Sequence, residues 1–254
     1  MVDQSLFAAE RLKIGSVLER SYAILLGNLS SLFVVALATT SLGFVFSQAW
    51  LFFGSTALLQ ASVPPYALVA FSMPSTIVDS VLASIAAGFI VHGTLCELQG
   101  RPVGLREVFR RGLAALKPVA LLALTETLAV LIGFVVLVVP GLILGVWFWV
   151  AVPVTVIERR GVMASLVRSR DLTAGSRWPI FVLLVLSLAT TVGFVYGLTI
   201  VVDYRTAFWR SLATELGGGS LLVAFWAVVS AVSYFDLKRI KEGAGSDEMA
   251  GVFD

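Results

Sequence analysis

Three ionisable side chains interrupt long apolar stretches of this chain: Glu126, Asp79 and His92. A carboxylate in mid-membrane costs roughly 2.5–3.5 kcal/mol or more when it faces lipid. We therefore expect Glu126 to face neighbouring helices, either as a hydrogen-bonded packing residue or as a proton-linked or ligand-contacting acid. Asp79 is expected near the outer end of its helix and is the weaker candidate. His92 is interpreted as a packing residue, with titration near neutral pH as the alternative.

A second set of residues is basic. Arg106, Arg110 and Arg111 lie beside the apolar residues of segment 105–109, on the polar side of an amphipathic pattern. Such arginines hold anionic lipid headgroups at about 1 kcal/mol each. The alternative is that they only set the orientation of the chain in the membrane. Nucleic acid is not an expected partner, because the positive charge is dispersed and lacks an aromatic platform.

The composition places these residues in a membrane protein. Hydrophobic residues make up 58% of the 254 residues and charged residues only 13%, whereas a soluble domain carries about 25% charged residues. Catalytic patterns are missing: there is no zinc-binding HExxH pair, no phosphate-binding glycine loop and no GxSxG elbow, and His92 is the single histidine. We expect no cofactor, no metal and no enzymatic activity.

Six apolar segments approach the roughly 20 residues that a crossing requires. Pro140-Gly141 is predicted to be a turn, because one helix over residues 118–157 would be about 60 Å long, twice the hydrocarbon thickness. The chain is therefore predicted to be an all-α polytopic membrane protein. The predicted helices are Leu32–Phe53, Thr76–Glu97, Pro118–Val139, Leu142–Ile157, Pro179–Val202 and Ser220–Phe235.

A single membrane domain over residues 1–254 follows from this assignment. It comprises an amphipathic segment 1–31, a six-helix bundle 32–236 and a tail 237–254. All Lys and Arg residues except Arg205 and Arg210 lie on one side of the predicted helices. The positive-inside rule then predicts that both termini are cytoplasmic.

The segments that precede or connect the predicted crossings on the basic side resemble one another. Segments 14–25 and 105–116 share apolar residues at the same offsets. The third connector lacks this apolar pattern and matches instead at Arg168-Ser169 and Gly175, which correspond to Arg20-Ser21 and Gly27. We predict three units, each an in-plane helix that leads into a transmembrane hairpin. Residues 54–75, which include three prolines, are predicted to form an external loop with a short interfacial segment, and a re-entrant hairpin is the alternative.

Two glycine pairs are spaced four residues apart, Gly141 with Gly145 and Gly193 with Gly197. Each pair places small residues on one helix face, where helix backbones approach closely in lipid. The two interpretations are packing within the bundle and a face for a homo-oligomer.

Twelve positions in the second half of the chain form a recognisable pattern: Pro140, Gly141, Pro153, Glu158, Arg168, Ser169, Leu172, Thr173, Gly175, Trp178, Tyr234 and Asp236. This pattern resembles the glycerophosphoryl diester phosphodiesterase membrane domain family. The resemblance implies a multi-helix protein of the bacterial cytoplasmic membrane, in a family whose members mostly lack an assigned activity. Some members carry a fused soluble phosphodiesterase domain, for which these 254 residues leave no room.

Three functions remain open at this point. The leading hypothesis is a non-enzymatic accessory protein that engages anionic lipid, or a membrane or soluble partner protein, through its basic amphipathic segments. A small transporter or channel is the alternative, and it predicts a mid-membrane cavity lined by Glu126. A membrane-embedded enzyme of lipid chemistry is the weaker alternative.

Overall fold

The computed structural model describes residues 12–58, 65–98, 105–201 and 212–242. Of these residues 94% are helical, and none lies in a strand. In the described part the helices are α1 Ile14–Gly27, α2 Leu29–Leu58, α3 Pro65–Leu98, α4 Leu105–Val136, α5 Val138–Phe148, α6 Ala151–Glu158, α7 Val162–Thr173, α8 Arg177–Val201 and, after a π-helical stretch Ala213–Gly219, α9 Ser220–Glu242.

Six helical segments are long and apolar enough to cross a membrane. The all-α polytopic architecture predicted from the sequence is confirmed. Successive crossings run antiparallel. One end of the bundle therefore contains α1, α7, the last turns of α3, α6 and α9, and the first turns of α4 and α8. We call this the basic end. The six segments are Leu29–Gly54, Ala70–Leu95, Arg110–Val136, Val138–Glu158, Arg177–Phe194 and Leu216–Glu242.

The external loop predicted at residues 54–75 is largely wrong. Helix α2 continues to Leu58 and α3 already begins at Pro65, so only residues 59–64 lie outside the described part. Pro65 occupies the first helical position, where the missing N–H has no intrahelical partner. Pro74 is accommodated inside α3, as prolines are in membrane helices whose neighbours satisfy the freed carbonyl.

The turn between the third and fourth crossings lies three residues before the predicted position. Leu137 is extended (φ −164°, ψ 150°), whereas Pro140 and Gly141 lie in the first turn of α5. A proline ring collides with the carbonyl four residues earlier, here that of Val136, and this is where α4 ends. The predicted hairpin is therefore present and its turn is shifted.

The fourth crossing is divided between α5 and α6. Pro153 has no N–H to donate to the carbonyl of Trp149, four residues earlier. Ser230 of α9 donates its hydroxyl to that carbonyl instead, at 2.8 Å. The break thus exchanges one helical hydrogen bond for a contact between two crossings.

The predicted in-plane helices are only partly separate elements. Helix α1 ends at Gly27, and α7 is an independent helix of 12 residues. The second predicted in-plane helix, over 105–116, is instead continuous with α4, which is 32 residues long. Pro118 does not break α4, so the segment 105–116 runs directly into the third crossing.

Helix α9 is the centre of the bundle. Most of its inward face is buried, including Val228, Val232 and Tyr234, and it packs against α1, α2 and α3. It extends to Glu242, two turns beyond the predicted end at Phe235. Helix α8 is the opposite case, with exposed apolar residues such as Val185, Leu188 and Val192 along its length. Apolar side chains exposed along a crossing are the surface that faces lipid.

Candidate functional site at the basic end

The connector between the fourth and fifth crossings has a fixed backbone. Arg159 adopts the left-handed conformation (φ 49°) and ends α6, and Gly161 precedes α7 in an extended conformation. Gly175 follows α7 with φ 93°, a region that glycine enters without a steric penalty. These turns place α7 beside both α5 and α9, where its polar side chains reach other helices.

Glu158 is the centre of an ion-pair cluster. Its side chain is only 8% exposed and lies 2.7 Å from Arg160 Nε and 3.2 Å from Arg168 Nε. The fully buried Tyr234 donates its hydroxyl to Glu158 Oε1 at 3.1 Å. A buried carboxylate is stable only when it is paired in this way, so the cluster joins α6, α7 and α9 as one unit.

Further contacts extend the cluster across the basic end. Arg168 also pairs with Glu242, which lies near Lys238 in the last turns of α9. Lys241 donates to the backbone carbonyl of Asp171. In the same way Arg20 of α1 pairs with Asp236 of α9, so α1 is held against the bundle.

The residues that carry the family resemblance converge here. Arg168 and Tyr234 both contact Glu158, and Asp236 pairs with Arg20 of α1. Ser169 donates its hydroxyl to the carbonyl of Trp147 at 2.7 Å. Leu172 and Thr173 are buried on the inward face of α7, and Pro153 is buried in α6. Pro140 and Gly141 lie at the opposite end, and Trp178 is exposed at the start of α8.

The side chains of the cluster are already paired with one another. Among the described residues no group of three or more His, Cys, Asp or Glu side chains is arranged to hold a metal ion. Glu158 is already engaged by two arginines and a phenol. The arrangement supports mechanical coupling between helices better than proton transfer.

A groove lies beside the cluster, between α5 and α8, with a volume of about 880 Å³. Its floor is apolar, formed by Val139, Leu142, Ile143 and Val146 of α5 and by Phe181 of α8. Arg177 and Trp147 also line the groove. The guanidinium carbon of Arg177 is 5.5 Å from the centre of the Trp147 ring, and that of Arg170, which adjoins the groove without lining it, is 4.5 Å from the same ring. Trp178, also at the mouth, is 73% exposed. The groove therefore combines an apolar channel with a cationic, aromatic entrance.

The basic residues singled out in the sequence lie elsewhere. Arg110 is exposed and Arg111 partly exposed on α4, and neither lines the groove. The side chain of Arg106 lies outside the described residues. Sequence reasoning assigned Arg170 and Arg177 only to the orientation of the chain. The adjacent Arg177 and Trp178 at the start of an apolar segment were the available signal, since such pairs mark membrane interfaces.

The intramembrane candidates lie at similar depth. The hydroxyls of Ser80 and Thr127 are 2.8 Å apart, which places the preceding residues, Asp79 and Glu126, at one level of α3 and α4. Asp79 is closer to the middle of the span Ala70–Leu95 than to either end, deeper than expected. It accepts a hydrogen bond from Ser47 at 3.2 Å. His92 is buried in α3.

Glu126 has a buried carboxylate oxygen, Oε2, without a hydrogen-bond partner in the described part of the chain. A buried polar atom left unsatisfied costs about 1–3 kcal/mol. We expect Glu126→Met, which keeps the side-chain length and removes that atom, to raise the free energy of unfolding by about 1 kcal/mol or more. Thermal unfolding in detergent is the measurement. A variant less stable than the wild type would show that the carboxyl group has a stabilising partner.

The resemblance to the glycerophosphoryl diester phosphodiesterase membrane domain family stays a prediction at this point. The geometry gives its positions a structural role, in the ion-pair cluster and the turns around α7. The function of the basic end is therefore inferred from the contacts of its own residues and not from the resemblance. Compared with protein-family models, curated proteins and solved structures, the chain matches none.

Proposed function

We propose that this chain is a non-enzymatic membrane accessory protein that binds an anionic phospholipid at its basic end. The observation that carries the proposal is the groove between α5 and α8, which Arg177 lines and which Arg170 adjoins beside Trp147. An apolar channel suits an acyl chain, and two guanidinium groups suit a phosphate. The ion-pair cluster holds α7, which carries Arg170, against α6 and α9.

The length of the groove fits a lipid tail. From Val139 to Trp147 the path along α5 is about 12 Å at 1.5 Å per residue, close to the thickness of one leaflet of a 30 Å hydrocarbon core. Each methylene group removed from water contributes about 0.8 kcal/mol. An acyl chain that is already surrounded by lipid gains little free energy by entering the groove. The groove therefore orients the acyl chain, and the arginines select the headgroup.

The charges at the mouth are available for a ligand. Arg20, Arg160 and Arg168 pair with carboxylates of the protein. Arg170 and Arg177 instead lie over Trp147, and within the described ranges neither has a carboxylate at ion-pair distance. Arg177 also begins α8, and the amino end of a helix favours an anion.

We expect the double substitution Arg170→Gln and Arg177→Gln to lower the affinity for phosphatidylglycerol about 30-fold. Each arginine contributes about 1 kcal/mol near an anionic headgroup, and 1.4 kcal/mol is a factor of ten. Native mass spectrometry with added phosphatidylglycerol, and with phosphatidylcholine of the same chains, measures this. The loss should shrink at high salt.

The matched control is Arg110→Gln with Arg111→Gln, which removes the same charge from α4 at the same end. It should keep phosphatidylglycerol binding within about threefold of the wild type, well under one arginine's contribution. A loss confined to this second pair would instead support the lipid site first predicted at Arg106, Arg110 and Arg111. Equal binding by all three proteins would refute lipid recognition by either set.

The orientation of the chain is part of the proposal. The charge asymmetry supports a bacterial cytoplasmic membrane with the basic end and both termini inside. Topology reporters fused after Arg101, Arg160 or Lys241 should report cytoplasm, and one fused near Arg205 should report the outside. A cytoplasmic signal at Arg205 would mean that the fifth segment does not cross.

A further inference from the structure

A second cavity, of about 470 Å³, lies between α2, α3, α6, α8 and α9 and is partly open at the surface of the bundle. It has room for about 16 water molecules at about 30 Å³ each. We propose that it binds a small uncharged solute rich in hydroxyl groups. Its lining and that of the α5–α8 groove have no residue in common, so this inference does not depend on lipid binding. Six hydroxyl side chains from four helices line it: Thr40, Ser80, Ser84, Ser187, Thr191 and Ser230.

Most of these hydroxyls donate their hydrogen within the protein. Thr40, Ser187, Thr191 and Ser230 donate their hydrogens to backbone carbonyl oxygens at 2.8 Å. A hydroxyl has one hydrogen and two lone pairs, so each keeps acceptor capacity. A ligand that fits must therefore bring hydrogen-bond donors, as a polyol does.

The lining excludes charged ligands. None of the residues around the cavity is Asp, Glu, Lys, Arg or His, and Glu126 is not among them. An ion in this apolar part of the bundle would lose its hydration without gaining a counter-charge. The transporter hypothesis predicted a mid-membrane cavity lined by Glu126; this cavity has a neutral lining instead.

Contacts of α8 with its neighbours lie close to the cavity. Gly145 of α5 packs against Leu184. Phe194 covers Gly218, and Trp226 Nε1 donates to Thr190 Oγ1 at 3.2 Å. Most of the surface around the cavity is apolar, so its hydroxyl groups are the polar partners that it offers to a solute.

The test uses Ser84→Cys in a Cys96→Ser background, which leaves one thiol, in proteoliposomes. The rate of reaction with methyl methanethiosulfonate reports water at the thiol, because the thiolate is the reactive form. Ile132→Cys in the same background is the control: Ile132 is 63% exposed on α4 within an apolar span. The thiol introduced in the cavity should react at least tenfold faster than the thiol of this control.

Sorbitol should then slow the reaction of the Ser84→Cys variant at least threefold. Gluconate and glucamine, which carry one charge on the same carbon skeleton, should not slow it at equal osmolality. Adding Thr191→Val, which keeps the side-chain shape, should abolish the protection by sorbitol. The proposal is overturned if the cavity thiol reacts as slowly as the control thiol, if the three solutes protect equally, or if sorbitol does not protect.

Discussion

Replacing Arg168 by Gln is expected to lower the free energy of unfolding by about 2–3 kcal/mol. Removing one partner of a buried ion pair costs about 3–5 kcal/mol, and the 22% exposure of Arg168 brings the expected loss to the lower end of this range or just below it. The loss arises because Glu158, only 8% exposed, is left with Arg160 as its remaining cation. Glu242 would also lose its partner on α7. Chemical denaturation of the purified protein in detergent measures the change.

Two further variants separate the ion pair from a general loss of charge. Arg239→Gln removes an exposed cation of α9 and should change stability by less than about 0.5 kcal/mol. In the double variant Glu158→Gln with Arg168→Gln, the loss should be smaller than the sum of the single losses by about 1–2 kcal/mol. Additive losses would mean that Glu158 and Arg168 stabilise the protein independently.

Replacing Gly133 by Leu should lower the free energy of unfolding by about 3 kcal/mol. A Cβ atom at this position would lie 3.0 Å from the backbone of Gly141, where α4 and α5 approach after their turn. Overpacking costs about 1–3 kcal/mol and reaches the upper end when the neighbour is backbone that cannot move aside. A thermal-shift measurement in detergent gives the effect directly.

Gly193→Leu is the matched control for that substitution. A Cβ atom on Gly193 would meet nothing within 4 Å, because it lies on the exposed side of α8. Its stability in detergent should stay within about 0.5 kcal/mol of the wild type. Equal destabilisation by both substitutions would show that glycine is required for reasons other than the α4–α5 contact.

The glycine pair Gly141 and Gly145 packs within the bundle, because Gly145 lies against Leu184.

The number and type of crossings could be predicted because they depend on local sequence. Each crossing is an apolar stretch of the required length, and the basic residues alternate with these stretches along the chain. Helix ends were harder to predict, because a proline can end a helix at the residue four positions before it. Pro140 ends the preceding helix at Val136, whereas Pro74 and Pro118 are absorbed inside helices.

The contacts at the basic end could not be predicted from local patterns. Arg168 meets Glu242 across 74 positions of the chain, and Tyr234 meets Glu158 across 76. The family resemblance selected Glu158, Arg168 and Tyr234 without indicating that they touch. The groove proposed to bind lipid could not be predicted either, because it depends on α5 and α8 being neighbours. The periodicity of neither segment contains that information.

The central claim is that the α5–α8 groove holds an anionic phospholipid. The most direct measurement is electron cryo-microscopy of the protein in nanodiscs of phosphatidylglycerol and phosphatidylethanolamine. We expect density for a headgroup phosphate within hydrogen-bonding distance of Arg177, with an acyl chain that runs along α5 toward Val139. A groove that is closed by α8, or that contains a tail without a phosphate near Arg170 or Arg177, would contradict the claim.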